Sequence, residues 1–310
     1  MTCADGVEIA TWDLGGSGPA LLLSHATGFH GRMWEPLAPR LGTRHHVWAL
    51  DHRGHGSSGH SPDGRYDDWD RFTDDLLAVV DALAGASLLD PGDLRAAGHS
   101  LGGAVLLLAA QRRPSLFRSL YCYEPIVLHP PAPNQGPPHN RLADVALRRR
   151  ETFVSVQAAR ANYASKPPFS RFAPAALDAY LAGGFTPRAD GSVGLCCRPA
   201  EESSVYEGAS RHGAYLGLGD VDIPVTVGCG ESGGDLGLDL LGDLADRLPQ
   251  AEVGAVGCGE SGGDLGLDLL GDLADRLPQG RLEPIRGCSH FGPFEAPEMV
   301  ADAILTAVSA

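Results

Sequence analysis

The chain has 310 residues, 43% of them apolar and 20% charged, with a net charge of −15. That length suffices for one large core plus a subdomain, and the acidity argues against nucleic acid or an anionic membrane surface as a partner. No apolar run approaches the ~20 residues of a spanning helix, the start MTCADGVEIATWDLG lacks the basic and apolar regions of a signal peptide, and seven Cys at odd spacings do not form a disulfide framework, so the cytoplasm is the expected compartment.

In chain order, short apolar runs at 20–24, 47–51, 94–98 and 120–123 read as strands, and the patterns at 34–41, 69–83 and 102–113 read as helices between them. This alternation predicts an α/β fold with a mostly parallel central sheet and helices on both faces. The texture changes after Glu124. Residues 125–139, PIVLHPPAPNQGPPH, hold six prolines, which neither a central strand nor a helix interior accepts. Helical patterns follow at 141–163, 174–182 and 199–209, and strand texture returns at DIPVTVG, 222–228. Residues 126–220 are therefore expected to form a helical cap inserted into a core made of 1–125 and 221–310.

Within AAGHSLGGAVLLLAA, Gly98-His99-Ser100-Leu101-Gly102 is a G-x-S-x-G motif between an apolar strand and an apolar helix. Such a turn is tight and strained, and its two glycines leave room for it. It lifts the Ser100 hydroxyl to the carboxyl end of the sheet and aims the Leu101 N–H and the helix N-terminus at a developing oxyanion.

With this elbow in place the chain resembles the α/β-hydrolases over nearly its whole length. LLLSHATGFHGRMW (21–34) is similar to the family's loop that lends a second oxyanion N–H, which implies Thr27 or Phe29; ALDHRGHGSSG (49–59) resembles its D-x-R-G-x-G-x-S turn; RGCSHFGPFEAPE (286–298) resembles its catalytic-histidine loop. The resemblance implies a cap after the family's sixth strand, the one ending at Tyr123.

His290 is the expected base, and the chain order Ser, acid, His suits this fold. The usual place for the acid falls in VGCGESGGDLGLDLLGDLADRLPQ, which occurs twice without a change, at 227–250 and 256–279. Each copy carries five acids and one Arg, so the pair supplies −8 of the −15. Glu231 in the first copy and Glu260 in the second are candidate acids, with Asp235 and Asp264 in the same turns. A third is Glu124, twenty-four residues after Ser100, at the end of the strand neighbouring the elbow strand. Adjacent strands lie about 5 Å apart, so its carboxylate can reach an imidazole held above Ser100. The resemblance points the same way, because some cofactor-free dehalogenases and acyl-thioester hydrolases of the family use this position. Glu124 is the preferred assignment. Loss of one 29-residue period would leave an ordinary helix-plus-strand interval before His290, and RLEPIRG rather than the competing AEVGAVG is expected to hold the last strand position.

His25, His99, Trp34, Tyr123, Phe29 and Phe291 are candidates to line the substrate pocket, with core packing as the alternative for each aromatic. His52, His55 and His60 belong to one turn without supporting Cys or carboxylate spacing, so no metal is expected, nor any cofactor. A nucleophilic Ser implies acyl transfer through an acyl-enzyme. The expected reaction is hydrolysis of small to medium carboxylic esters or acyl thioesters. The alternatives are a non-catalytic small-ligand-binding relative and a cofactor-free haloperoxidase or perhydrolase. The sequence leaves the oligomeric state open.

Overall fold

Every residue of ALLLS at Ala20–Ser24 is buried, as suits a strand covered on both faces. The computed structural model describes residues 1–129, 140–231 and 264–309. Its central sheet has seven strands: β1 Thr11–Gly16, β2 Ala20–Ser24, β3 His46–Leu50, β4 Leu94–His99, β5 Phe117–Tyr123, β9 Val225–Gly230 and β10 Gly280–Ile285. Their order is β1-β3-β2-β4-β5-β9-β10. Only β1 runs antiparallel to its neighbour; the other pairings are parallel. The antiparallel edge strand was not read from the sequence, because TWDLGG lacks an apolar run.

Side chains alternate across this sheet, as the period of two requires. Leu22, Leu50, Ala96 and Leu120 face one layer, made by α2 (Trp69–Gly85), α3 (Leu101–Arg112) and α8 (Asp264–Arg276). Leu21, Leu23, Val47, Ala49, Ala97 and Tyr121 face the other, made by α1 (Ala38–Leu41) and α10 (Pro297–Val308). The helix α3 is buried on all sides between Leu101 and Ala110. It therefore holds its first residue, and the turn before it, firmly against the middle of the sheet.

Between β5 and β9 lie α4 (Arg141–Leu147), α5 (Val156–Ala164), α6 (Pro174–Gly183) and α7 (Pro199–Gly208). With them is a small antiparallel sheet of β6 (Thr152–Phe153), β7 (Phe185–Pro187) and β8 (Val193–Leu195). The helix expected over 141–163 is thus two helices with a strand between them. Asn140 and Ser155 each cap a helix through a side-chain oxygen, so Ser155 starts a second helix rather than continuing the first. A third cluster joins these elements to the core loop: Phe29 and Met33 pack with Phe153, Phe172, Tyr180 and Phe294.

The duplicated unit contributes a strand from its first copy and a helix from its second. Val227–Gly230 belongs to β9, whereas α8 is the second copy's DLGLDLLGDLADR, with Leu273, Ala274 and Leu277 buried against the sheet. The first copy's helical half and the segment AEVGAVG lie outside the described residues. The edge strand β10 is GRLEPI, the segment that leads to His290.

Candidate active site

Ser100 sits where β4 ends and α3 begins, at φ 56° and ψ −115°. A side-chain-bearing residue adopts such a conformation only when its surroundings impose it. The flanking glycines make it sterically possible. A Cβ on Gly98 would meet the Gly102 carbonyl carbon at 2.6 Å, and one on Gly102 would meet the Ser24 carbonyl oxygen at 2.2 Å. Glu124 also has positive φ, at 40°; it follows β5 directly and its N–H donates to the Gly228 carbonyl at 2.8 Å.

The strand order sets β5 between β4 and β9, so Glu124 reaches both ways. Its Oε1 accepts from the Gly230 N–H at 2.8 Å and its Oε2 meets His290 Nδ1 at 2.7 Å. That nitrogen therefore carries the hydrogen, and Nε2 is left as the basic atom. The loop that carries His290 is anchored on both flanks. Tyr123 Oη–H donates to the Ser289 carbonyl at 2.7 Å, and His99 Nε2–H donates to the His290 carbonyl at 2.8 Å. Burial beside His290 holds the His99 pKa well below its ordinary value, so the ring is neutral. Glu231, by contrast, lies exposed at the end of β9, and its carboxylate makes no hydrogen bond to a described residue.

Ser100 and His290 line one small cavity together with Thr27, Phe29, Trp69 and Phe291. Ser100 Oγ makes no hydrogen bond to a described residue. The loop over the cavity is Ala26–Phe29. Its Phe29 N–H is spent on the Ala26 carbonyl at 3.2 Å and its Gly28 N–H on His55 Nε2 at 3.1 Å. The Thr27 N–H has no acceptor among the described residues, and neither has that of Leu101, which lies in the first turn of α3 where no intrahelical acceptor exists. Of the two loop residues suggested by resemblance, Thr27 thus keeps an N–H without an acceptor among the described residues, whereas that of Phe29 is engaged within the loop.

Imidazoles hold this loop from below. His25 Nδ1–H donates to the Ala26 carbonyl at 2.7 Å, while its Nε2 accepts from the His52 N–H at 2.9 Å. His55 Nδ1–H donates to the Arg53 carbonyl at 2.9 Å, which frees its Nε2 for Gly28. Burial lowers His52 to about 3 and His55 to about 4, and takes His25 well below its ordinary value. All three are neutral, and backbone partners set the tautomers of His25 and His55. From above, the loop meets the buried pair Arg149–Glu202, whose guanidinium also donates to the Tyr163 and Tyr180 hydroxyls at 3.1 and 2.6 Å. A Cβ on Gly28 would lie 2.7 Å from Glu202 Oε1.

Of the pocket residues expected from sequence, Phe29 and Phe291 line the cavity. Trp34, Tyr123, His25 and His99 are fully buried behind it and support the loops instead. Trp69, Ile126, Leu142, Tyr206 and Ala209 line it and were not read from the sequence, since tertiary packing, including that of α4 and α7 over the sheet, brings Leu142, Tyr206 and Ala209 to it. Among the described residues no group of three His, Cys, Asp or Glu is placed to hold a metal ion, and no helix is long and apolar enough to cross a membrane.

A largely parallel sheet with a strained serine at one strand end, and a histidine–carboxylate pair on the neighbouring loops, is the architecture of the α/β-hydrolase fold. The alpha/beta hydrolase fold family matches residues 19–261, and the chain belongs to that family. Among curated relatives, 2-(acetamidomethylene)succinate hydrolase of Mesorhizobium japonicum is 37% identical over 34% of this chain and 35% of its own. Human monoglyceride lipase is 36% identical over 39% of each chain, so the chain matches little more than a third of the length of these relatives. Of solved structures, the peroxisomal α/β-hydrolase Lpx1 of Saccharomyces cerevisiae superposes with a TM-score of 0.72 at 18% identity, over 99% of this chain and 83% of that one. An E-2-(acetamidomethylene)succinate hydrolase superposes with a TM-score of 0.68 at 22% identity, over 98% and 100%. At those identities the structural likeness speaks for the fold.

Proposed function

We propose that the protein is a serine hydrolase that cleaves carboxylic esters or acyl thioesters through Ser100, His290 and Glu124. The observation that carries this reading is the 2.7 Å bond from His290 Nδ1 to Glu124 Oε2, on an imidazole that shares its cavity with a serine in strained backbone. Such a pair is what a general base needs: a fixed tautomer, and an anion beside the imidazolium that forms.

In the first step Ser100 Oγ attacks the acyl carbon and His290 Nε2 takes its proton. The carbonyl oxygen gathers negative charge and receives the N–H groups of Leu101 and Thr27, aided by the positive end of α3. Collapse breaks the bond to the alcohol or thiol, which leaves with the proton from His290. Water then attacks the acyl-enzyme with His290 again as base, and the acid and free Ser100 are released. The relatives named as a lipase and a hydrolase fit this chemistry.

A fluorophosphonate probe tests the reading. Labelling of the wild type but not of Ser100→Ala is expected, together with turnover of short-chain aryl esters. Folded wild type that neither labels nor turns over would leave a non-catalytic ligand-binding relative as the better description.

A further inference from the structure

The cavity at Ser100 shares Thr27, Phe29, Leu142, Tyr206 and Phe291 with a much larger one of about 430 Å³ under the cap. The wall of this second cavity carries three cations, Arg148, Arg149 and Lys166, and one carboxylate, Glu202. Glu202 is spent on Arg149. The guanidinium of Arg148 makes no ion pair or hydrogen bond with a described residue and is exposed. Lys166 Nζ meets only a neutral partner, Asn162 Oδ1, at 3.0 Å. Many described arginines, Arg71, Arg112 and Arg113 among them, have carboxylate partners, and some exposed ones, such as Arg44, Arg118 and Arg286, pair with no described acid; what sets Arg148 and Lys166 apart is that both line one cavity. Two cations without acids therefore face one chamber that leads to the serine.

We infer that the substrate carries an anionic group, a carboxylate or phosphate, away from its scissile acyl bond, and that Arg148 and Lys166 receive it at the wide end of the cavity. This rests on the reading of Ser100 as the nucleophile. The narrow end is lined by Trp69, Ile126, Leu142 and Phe291, which suits an apolar stretch between reacting carbon and charge. The pairing with exposed cations is screened by salt, so it selects among substrates more than it tightens binding.

The test compares isosteric esters that differ in one charge. Mono-4-nitrophenyl adipate and 4-nitrophenyl hexanoate place or omit a carboxylate on the acyl half; 4-carboxyphenyl and 4-acetylphenyl hexanoate do so on the leaving group. In one of the two arms the charged ester should exceed the neutral one in kcat/KM by about tenfold at low ionic strength, with the ratio shrinking as salt rises. R148Q/K166Q should bring that ratio down about tenfold, and R148E/K166E should take it below one. Ratios near one in both arms, or ratios indifferent to these substitutions, overturn the inference. If the wild type hydrolyses none of the four, the hydrolase reading fails and calorimetry on Ser100→Ala decides this one. Tighter binding of the adipate ester, weakened by R148E/K166E, upholds the inference, and equal binding of charged and neutral esters overturns it.

Discussion

At the scale of single residues, the site turns on which carboxylate faces the imidazole. Glu124 and Glu231 end the neighbouring strands β5 and β9, yet only Glu124 meets His290. Its second oxygen is held by the Gly230 N–H, so the carboxylate is fixed at both ends. Glu124→Gln should keep the fold and lower kcat by about 10⁴, as loss of the acid does in other triads. Glu231→Gln, at an exposed position, should leave kcat within about threefold, because surface changes away from the chemistry move little. Rates for the two variants on one aryl ester check both statements. The strand-end position of Glu124 was legible in the sequence because strands 5 Å apart put their tips within side-chain reach. The choice between Thr27 and Phe29 was not. It depends on which N–H groups the loop consumes, and that follows from a turn and from His55, 27 residues beyond its partner Gly28. His55→Phe should strand the Gly28 N–H. A buried donor without a partner costs about 1–3 kcal/mol, and with the loop displaced kcat should fall more than KM rises. A KM-against-kcat split with thermal melting would separate this from simple destabilisation.

At the scale of elements, the sheet was legible and the segment between β5 and β9 was less so. Apolar runs bounded by turn residues mark β2, β3, β4 and β5 within a few residues, because a strand covered on both faces must be apolar throughout. The short strands between β5 and β9 carry no such mark. Thr152–Phe153 is two residues long and gains its place from pairing with β8, a long-range contact that no local pattern announces. The same holds for the pair Arg149–Glu202, which joins the start of the cap to α7 and presses on Gly28. Removing Glu202 leaves the half-buried Arg149 guanidinium with only two tyrosine hydroxyls for partners, which costs less than the ~3–5 kcal/mol of breaking a fully buried pair but more than the loss of a surface pair. Glu202→Gln should therefore lower the melting temperature markedly and slow ester turnover through the loop beneath. The double change Arg149→Met with Glu202→Gln should restore much of the stability, since both charges are gone. A double-mutant cycle on melting temperature reads the difference.

At the scale of the whole molecule, two global properties follow. Burial keeps His30 at about 4, His52 at about 3 and His55 at about 4. The unfolded chain takes a proton on each near pH 6.5, whereas the folded chain takes none until much lower pH. Their contribution to stability is thus complete above pH 6.5 and is lost as the pH falls from there toward 4, by about 1.4 kcal/mol per unit for each group. The melting temperature should drop by about 10 °C between pH 7 and 5 and stay nearly flat from 7 to 8; a flat profile through 5 would contradict the neutral assignments.

The second property concerns the duplication. Sheet and helix layer take one strand from the first copy and one helix from the second. Removing 232–260 joins Glu231 to Ser261 and restores the sequence GESGGD across the junction, the same product as removing 227–255. The shortened chain keeps every described residue that forms β9, α8 and β10, and keeps Glu124, Ser100 and His290. The chain between β9 and α8 is then 29 residues shorter, and the entropic cost of joining two elements changes only with the logarithm of the length between them. The variant should fold, melt no lower than the full chain and turn over aryl esters at an equal or higher rate. Aggregation or loss of turnover would mean that the extra unit contributes contacts of its own to the native state.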